Sequence, residues 1–444
     1  MKRILILLFV CITAFTGVSA QTPFSFNDLV SAKRVGDPQL SPDGKRVAFT
    51  IGVVNKAENR TVTHIYVVKI DGSDQKQLTT GTASASSPRW SPDGDHIAYT
   101  TGGQIWVMEE DGDDKEQVTK ISTGAGNPVW SQDGKWIAFS SEVYPECSSD
   151  DCNKVEEEKA ETTKMKAKVS ERLLFKHWNE WRDRKRAHVF VIPKDGGIAR
   201  DLTPGDFDSP PYAASTGVDY AFSPDGKEIA FLRNPDKVEA TSTNSDLYVM
   251  PLNGGSARNI TAGNKGYDAA PVYTPDGKYI LFRSQATATF EADRWRIMRY
   301  NRSNGETVEL TRGFDQQADE MTLSNDGKTI FFAAGTRGRS PIYSVPVEPD
   351  FRQRIATHVK QVVGGVYANS LNISKDGKTL VFSASSMAAP AEIMRANTDG
   401  SGVAAITRAN APLNLAKAEE LEWKGALQAT VHGFLVKPSN FDAG

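Results

Sequence analysis

The stretch from Phe175 to Asp183 concentrates more reactive and binding side chains than any other part of this chain. In it Phe175, Trp178 and Trp181 are interleaved with His177, Glu180, Arg182 and Asp183. A carboxylate set among aromatic rings is partly dehydrated, so it binds an ammonium group well, and the ring faces attract the same cation. Glu180, flanked by Trp178 and Trp181, is the first candidate for such a role. Asp183 is the second, and Arg182 could orient the acid or hold a carbonyl oxygen. The same rings would also serve as hydrophobic anchors, with Glu180 pairing Arg182 or Arg184. Both readings remain open on the residues alone.

The other chemistry-bearing pair is Cys147 and Cys152, separated by Ser148-Ser149-Asp150-Asp151. In an oxidising compartment an isolated pair this close reads as a local disulfide that pins a loop. The rival, a metal held by two Asp and two thiolates, has no nearby His to complete a familiar ligand set. Nucleophilic catalysis has no anchor here. No Gly-x-Ser-x-Gly elbow occurs, and the nearest strings, Gly254-Gly255-Ser256-Ala257-Arg258 and Gly338-Arg339-Ser340-Pro341-Ile342, fail at the last glycine. A phosphate loop, a His-Glu-x-x-His helix and a dinucleotide fingerprint are also missing. The six His are scattered, and His64, His96 and His188 fall in strand-like runs where structural roles are the default. No catalytic residue, metal site or cofactor is therefore assigned.

The elements that must position these residues are written as a repeat. Seven times a hydroxy residue, a variable residue, Asp and Gly occur in a row, beginning at Ser41, Ser91, Ser131, Ser223, Thr274, Ser324 and Ser374. The steps between them are 50, 40, 92, 51, 50 and 50 residues. A period of this size, carried by a turn with flanking strands, predicts an all-β, seven-bladed β-propeller. In the second unit Ser91-Pro92-Asp93-Gly94 makes the first turn, because Pro92 presets φ, Asp93 bonds back to the backbone and Gly94 adopts the left-handed conformation. His96–Thr100 and Gln104–Met108 follow as strands, Asp111-Gly112 makes a second turn, and Gln117-Val118-Thr119 closes the outer edge. Six units carry both marks. The sixth runs from Pro346 to Val363 without the second turn, which predicts an irregular outer edge, and the first and last units could share strands to close the ring.

The 92-residue step is too long by about one blade, and the excess, roughly residues 141–187, is not β-like. It holds the Cys pair, then Asn153 as an expected N-cap with Glu156 three residues on, then Met165, Val169 and Leu173 at helical spacing. A helical insertion arm is expected, rooted at the disulfide and ending in the aromatic cluster. At the N-terminus Lys2 and Arg3, the apolar run Ile4–Phe15 and the small residues Val18-Ser19-Ala20 read as a signal peptide over residues 1–20, cut after Ala20. That implies a periplasmic or secreted protein with no membrane anchor after cleavage. Losing Lys2 and Arg3 takes the formal charge from −3 to −5, and a mildly acidic chain without a basic stripe argues against nucleic acid as a partner.

The end of the chain departs from the repeat: Leu421-Glu422-Trp423-Lys424-Gly425, then Val431-His432-Gly433-Phe434-Leu435-Val436-Lys437-Pro438. This strand, break and strand resembles the entry into the α/β-hydrolase domain of the prolyl oligopeptidase family. The string Arg172-Leu173-Leu174-Phe175-Lys176-His177-Trp178-Asn179-Glu180-Trp181-Arg182-Asp183, with Tyr144-Pro145-Glu146-Cys147 and Cys152-Asn153-Lys154, resembles the secreted bacterial dipeptidyl-peptidase 5 branch of that family. The propeller repeats alone are shared with TolB-like periplasmic proteins. The resemblance implies a propeller over residues 21–425 and the truncated start of a hydrolase domain over 426–444. It also implies a Ser-His-Asp triad beyond Gly444, so this chain by itself would be inactive. The expected function is a substrate-gating propeller of an exported serine peptidase that releases dipeptides from peptide N-termini, with peptides and its own hydrolase domain as partners. In that setting Glu180 would bind the substrate α-ammonium, with Trp178, Trp181, Arg182 and Asp183 around it. The alternative is a non-enzymatic periplasmic propeller that binds a protein partner.

Overall fold

The computed structural model describes residues 24–165, 184–211, 218–410 and 418–438, together with 167, 173, 176, 177, 179–182, 413, 415 and 441. It is a seven-bladed β-propeller. Seven four-stranded antiparallel sheets span residues 34–77, 85–117, 126–201, 220–259, 268–309, 318–363 and 367–405, each taking its strands in chain order from the channel outward.

The repeated motif makes the same turn seven times. In blade one the Ser41 hydroxyl donates to Asp43 Oδ1 at 2.6 Å and accepts the Arg46 N–H at 3.0 Å. Asp43 Oδ1 also accepts the Lys45 N–H at 3.0 Å, and Gly44 sits at φ 73°. The hydroxyl is buried in all seven copies, so a residue unable to bond both ways would leave a buried N–H without a partner. Eight residues after each first motif position comes a buried aromatic: Phe49, Tyr99, Phe139, Phe231, Phe282, Phe332 and Phe382. These rings fill the spaces between adjacent sheets. The closing strands add a second hydroxyl device. Thr79, Thr119, Thr203, Thr261, Thr311 and Thr407 each accept the backbone N–H fourteen residues earlier, at 2.8–3.1 Å.

Of two expectations about the ring, one holds and one changes. The sixth blade has a paired outer strand, Lys360–Val363, reached by a long connection containing the 3-10 turn Ile355–His358. Its edge pairs with Ile342, Tyr343 and Ser344 but shifts register between Ile342 and Tyr343, so the edge is irregular as expected. The first and last blades share no strand. The ring closes by packing and by bonds that include Asn372 to Pro38 O at 2.7 Å and the Lys33 N–H to Asn410 Oδ1 at 2.7 Å. The first of these belongs to a set, one taken from each of the seven junctions, that links neighbouring blades near the channel. The others are Trp90 Nε1 to Gln39 O (2.9 Å), Trp130 Nε1 to Arg89 O (3.0 Å), Tyr220 Oη to Asn127 O, the Ala270 N–H to Asp219 Oδ1 (3.0 Å), Arg283 to Asp319 O, and the Leu371 N–H to Glu320 Oε1 (2.8 Å). Bulges in the inner strands, with left-handed residues at Asn127, Ala270 and Ser370, release the backbone groups that several of these bonds use.

Topology sorts the two ends of the channel. Each inner strand runs toward the Ser-x-Asp-Gly turns, so the connections between second and third strands, and those between blades, lie at the opposite end. The insertion in blade three and the exit from blade seven therefore share that opposite end.

Candidate functional site

The insertion leaves blade three after Trp136–Val143 and returns at Arg186–Pro193. Its root carries the Cys147–Cys152 disulfide, with the two Cα atoms 5.4 Å apart. A helix follows over Asp150–Thr162, and its N-cap is Ser149, four residues before the Asn153 expected from the sequence. Ser149 wins because its hydroxyl accepts the Cys152 N–H. Asn153 instead turns inward and is buried, where its Oδ1 accepts the Tyr144 N–H at 2.8 Å. The helix thus docks on the end of the blade through a polar residue, while its other side chains are mostly charged. It ends at the Thr163 cap, so Met165 lies past it and Val169 falls outside the described residues. Beyond it a short hairpin pairs Lys176 with Trp181 and His177 with Glu180.

Of the five candidate residues, Trp178 and Asp183 and the side chain of Glu180 lie outside the described residues. Trp181 is 46% exposed, with the Lys176 ammonium 4.8 Å above its ring. Arg182 reaches from the hairpin to the connection between blades three and four, where it pairs with buried Asp208 at 2.6 Å. Asp208 also accepts the Ala187 N–H, and Arg186 pairs with Asp206 at 3.1 Å. Arg184 and Lys185 bond the helix acids Glu156 and Glu157. The end of the arm is therefore tied both to its own helix and to the 206–208 loop. His188, fully enclosed, holds Asp201 at 2.7 Å and Gly205 O at 2.9 Å, a structural role.

That loop forms one wall of a cavity of about 440 Å³ that sequence reasoning missed. Its floor is Arg233, whose guanidinium lies 3.5 Å from the centre of the Phe207 ring and 5.1 Å from that of Tyr248. Burial pushes the Arg233 pKa down from its ordinary value, and the side chain stays a cation at neutral pH. Asn234, Asp236, Lys237 and Glu239 from the next connection complete the rim. The signal available in the sequence was the string Gly205-Asp206-Phe207-Asp208-Ser209-Pro210-Pro211, an unusually long link between blades within the 92-residue step. A second cavity, about 550 Å³, occupies the channel at the turn end and is lined by Arg89, Trp90, Trp130, Tyr220 and Lys375 among others. Among the described residues no cluster of three His, Cys, Asp or Glu side chains could hold a metal.

At the exit end the strand Ala418–Lys424 pairs with Thr430–Val436 in a separate hairpin, so the boundary drawn at 425/426 falls in its turn. The hairpin rests on the blade-six connection. Arg339 pairs with Glu420 and lies 5.6 Å from the centre of the Phe434 ring, and Arg337 is 3.7 Å from Glu422.

Residues 27–168 match the TolB beta propeller domain family. Among solved structures the fold is shared with an acylaminoacyl peptidase of Pyrococcus horikoshii. That match has a TM-score of 0.67 at 16% identity and covers 92% of this chain and 58% of that one. It is also shared with the β-propeller domain of the Trilobed protease from Pyrococcus furiosus, with a TM-score of 0.57 at 12% identity over 86% of this chain and 97% of that one. By fold the chain is a seven-bladed β-propeller, and its N-terminal part is similar to the TolB type. Its sequence relatives are more specific. Dipeptidyl-peptidase 5 of Porphyromonas endodontalis is 33% identical over 94% of this chain and 60% of its own length. The same-named protein of Porphyromonas gingivalis is 26% identical over 86% of this chain and 55% of its own length. The chain spans less than two thirds of the length of these relatives.

Proposed function

We propose that this propeller gates substrate access in an exported serine peptidase that removes dipeptides from peptide N-termini. The catalytic triad would lie in the part of the relatives that this chain does not span. The observation that carries the reading is the 33% identity to a dipeptidyl-peptidase 5 along 94% of this chain. It is supported by the shared location of the insertion, the Arg233 cavity and the exit hairpin at one end of the channel, where a following domain would meet them. The propeller occupies residues 21–425 and the hydrolase domain begins within 426–444, after a signal peptide over residues 1–20. In this setting Glu180 binds the substrate α-ammonium, with Trp178, Trp181 and Asp183 around it and Arg182 fixing the hairpin through Asp208.

The test uses the gene product carried through to the end of its reading frame. It should hydrolyse chromogenic dipeptides with a free amine, while the chain from Met1 to Gly444 alone should give background rates. Glu180→Gln should raise KM for free-amine substrates far more than for N-blocked ones, with thermal stability unchanged. Equal losses on both substrates would return Glu180 to a structural role. A stop codon directly after Gly444 would remove the peptidase reading and favour a propeller that binds a protein partner.

A further inference from the structure

Among the described residues Arg233 is a half-enclosed cation without an acidic partner. The one hydrogen bond its side chain makes to them is long, Nε to Ser209 Oγ at 3.5 Å. Of the acids that line the cavity, Asp206 pairs with Arg186 at 3.1 Å and Asp236 accepts from the Ser242 hydroxyl at 2.6 Å. Three rings, Phe207, Phe231 and Tyr248, lie within 5.5 Å of the guanidinium carbon and hold its position. Burying a guanidinium costs free energy unless an anion meets it. Here the described residues meet the group with rings and no carboxylate, and it lines an open cavity.

We propose that the Arg233 cavity is a carboxylate-binding subsite for short peptides. With rings packed against it and only Nε engaged among the described residues, the guanidinium has its two terminal nitrogens left to offer. That fork of N–H donors matches the two oxygens of a carboxylate. The rim carries Asp206, Asp236 and Glu239 against one cation, Lys237, and this acidic excess repels a phosphate dianion or a polyanionic partner more strongly than a single carboxylate. A volume of about 440 Å³ holds a ligand of a few residues and no folded domain. The carboxylate comes either from the peptide C-terminus or from an Asp or Glu side chain, since both present the same two oxygens. The choice of a peptide as ligand rests on the peptidase reading, but the anion site itself rests on Arg233 and its surroundings.

The experiment is equilibrium binding, independent of turnover. Trialanine, trialanine amide, Ala-Glu-Ala amide and inorganic phosphate are titrated into the purified chain by calorimetry. Loss of a bidentate charge-assisted pair predicts that trialanine amide binds about 10–100-fold more weakly than trialanine or Ala-Glu-Ala amide. Which of the two acids binds more tightly identifies the source. In Arg233→Met, which keeps the packing volume, the acid preference should fall to about one. If that variant does not fold, Arg233→Lys and the acid–amide comparison on the unaltered chain decide. Equal binding of acid and amide, an acid preference retained in folded Arg233→Met, no binding of any peptide, or phosphate binding as tightly as trialanine would each overturn the subsite. None of these outcomes touches the peptidase reading, which is judged on turnover by the complete gene product.

Discussion

Replacing Asp268 with Asn should make this propeller more stable at neutral pH relative to the parent chain, and progressively less so as the pH falls. Asp268 begins the inner strand of blade five and is fully buried. Its Oδ1 accepts from Asn264 at 2.8 Å, but its Oδ2 has no hydrogen-bond partner among the described residues, and Asp246, also buried, adds a second negative charge nearby. Burial is the main cause that raises its pKa to about 7, opposed by hydrogen bonds from Thr261, Ser284 and Asn264. An unfolded aspartate titrates near ~3.9, so between that pH and about 7 the folded chain holds a proton that the unfolded chain has released. Stability from this group is complete below pH ~4 and is lost as pH rises through the folded value. At 1.36 kcal/mol per pH unit the loss is on the order of 4 kcal/mol by pH 8. Asn keeps the neutral shape and places an N–H where the protonated acid carries its O–H, without titrating. Urea unfolding of parent and Asp268→Asn chains across pH 4 to 8 isolates the effect, because all other titrating groups are common to both. The stability difference should shift in the variant's favour by up to about 4 kcal/mol across that range. A constant difference, or one that moves the other way, would show that Asp268 is ionised throughout and refute the reasoning.

Thr119→Val should cost about 1–3 kcal/mol at unchanged m value in urea, because it strands the buried Ile105 N–H that the hydroxyl accepts at 2.9 Å. Asn372→Leu removes one of the bonds across the closure of the ring, that to Pro38 O. Amide exchange should quicken in the inner strand Arg34–Leu40 and remain unchanged in blade four, and uniform quickening would count against a local closure. The turn carboxyls Asp93, Asp133, Asp225, Asp276, Asp326 and Asp376 are held below the usual range chiefly by the Ser or Thr hydroxyl of their own motif. They stabilise the fold above the unfolded value of ~3.9, and that contribution drains away as the pH falls through their lowered values. Ser223→Ala should therefore make the acid limb of the stability curve shallower, and an unchanged limb would rule out the hydroxyl as the cause. Cys147 and Cys152 should resist alkylation in exported protein until reduced, with reduction costing about 2 kcal/mol for so short a loop, and two free thiols in native protein would contradict this.

Blade number was legible because the turn makes unusual demands at fixed positions. Gly44 and its six counterparts need positive φ, the Asp must bond back to its own loop, and the hydroxyl must donate and accept at once, so few residue types qualify. The outer edge of blade six was legible only in part. Its irregularity followed from the missing turn, but its pairing is made backbone to backbone and leaves no mark on residue type. The cap of the insertion helix was misplaced for a related reason. Asn153 and Ser149 are both good caps by residue type, and what separates them is that Asn153 is needed by Tyr144 in the blade. A local pattern does not record a demand made by a different element.

The same principle explains why the arm could be seen in the sequence and the Arg233 cavity could not. Glu180 drew attention because its aromatic neighbours are adjacent in the chain. Arg233 meets Phe207 only because two blades are packed side by side, and in the strand Glu228–Arg233 it reads as one more end-of-strand charge. The seven bonds around the channel show how far this goes. Each performs the same task, but the donors are indole, phenol, guanidinium, amide and backbone groups, and five of the acceptors are main-chain carbonyls. A carbonyl is available whatever the residue, so nothing forces one side-chain type to recur at the donor position. The turns must therefore repeat in the sequence, while the joints between blades, and the cavities that open beside them, are free to vary from one junction to the next.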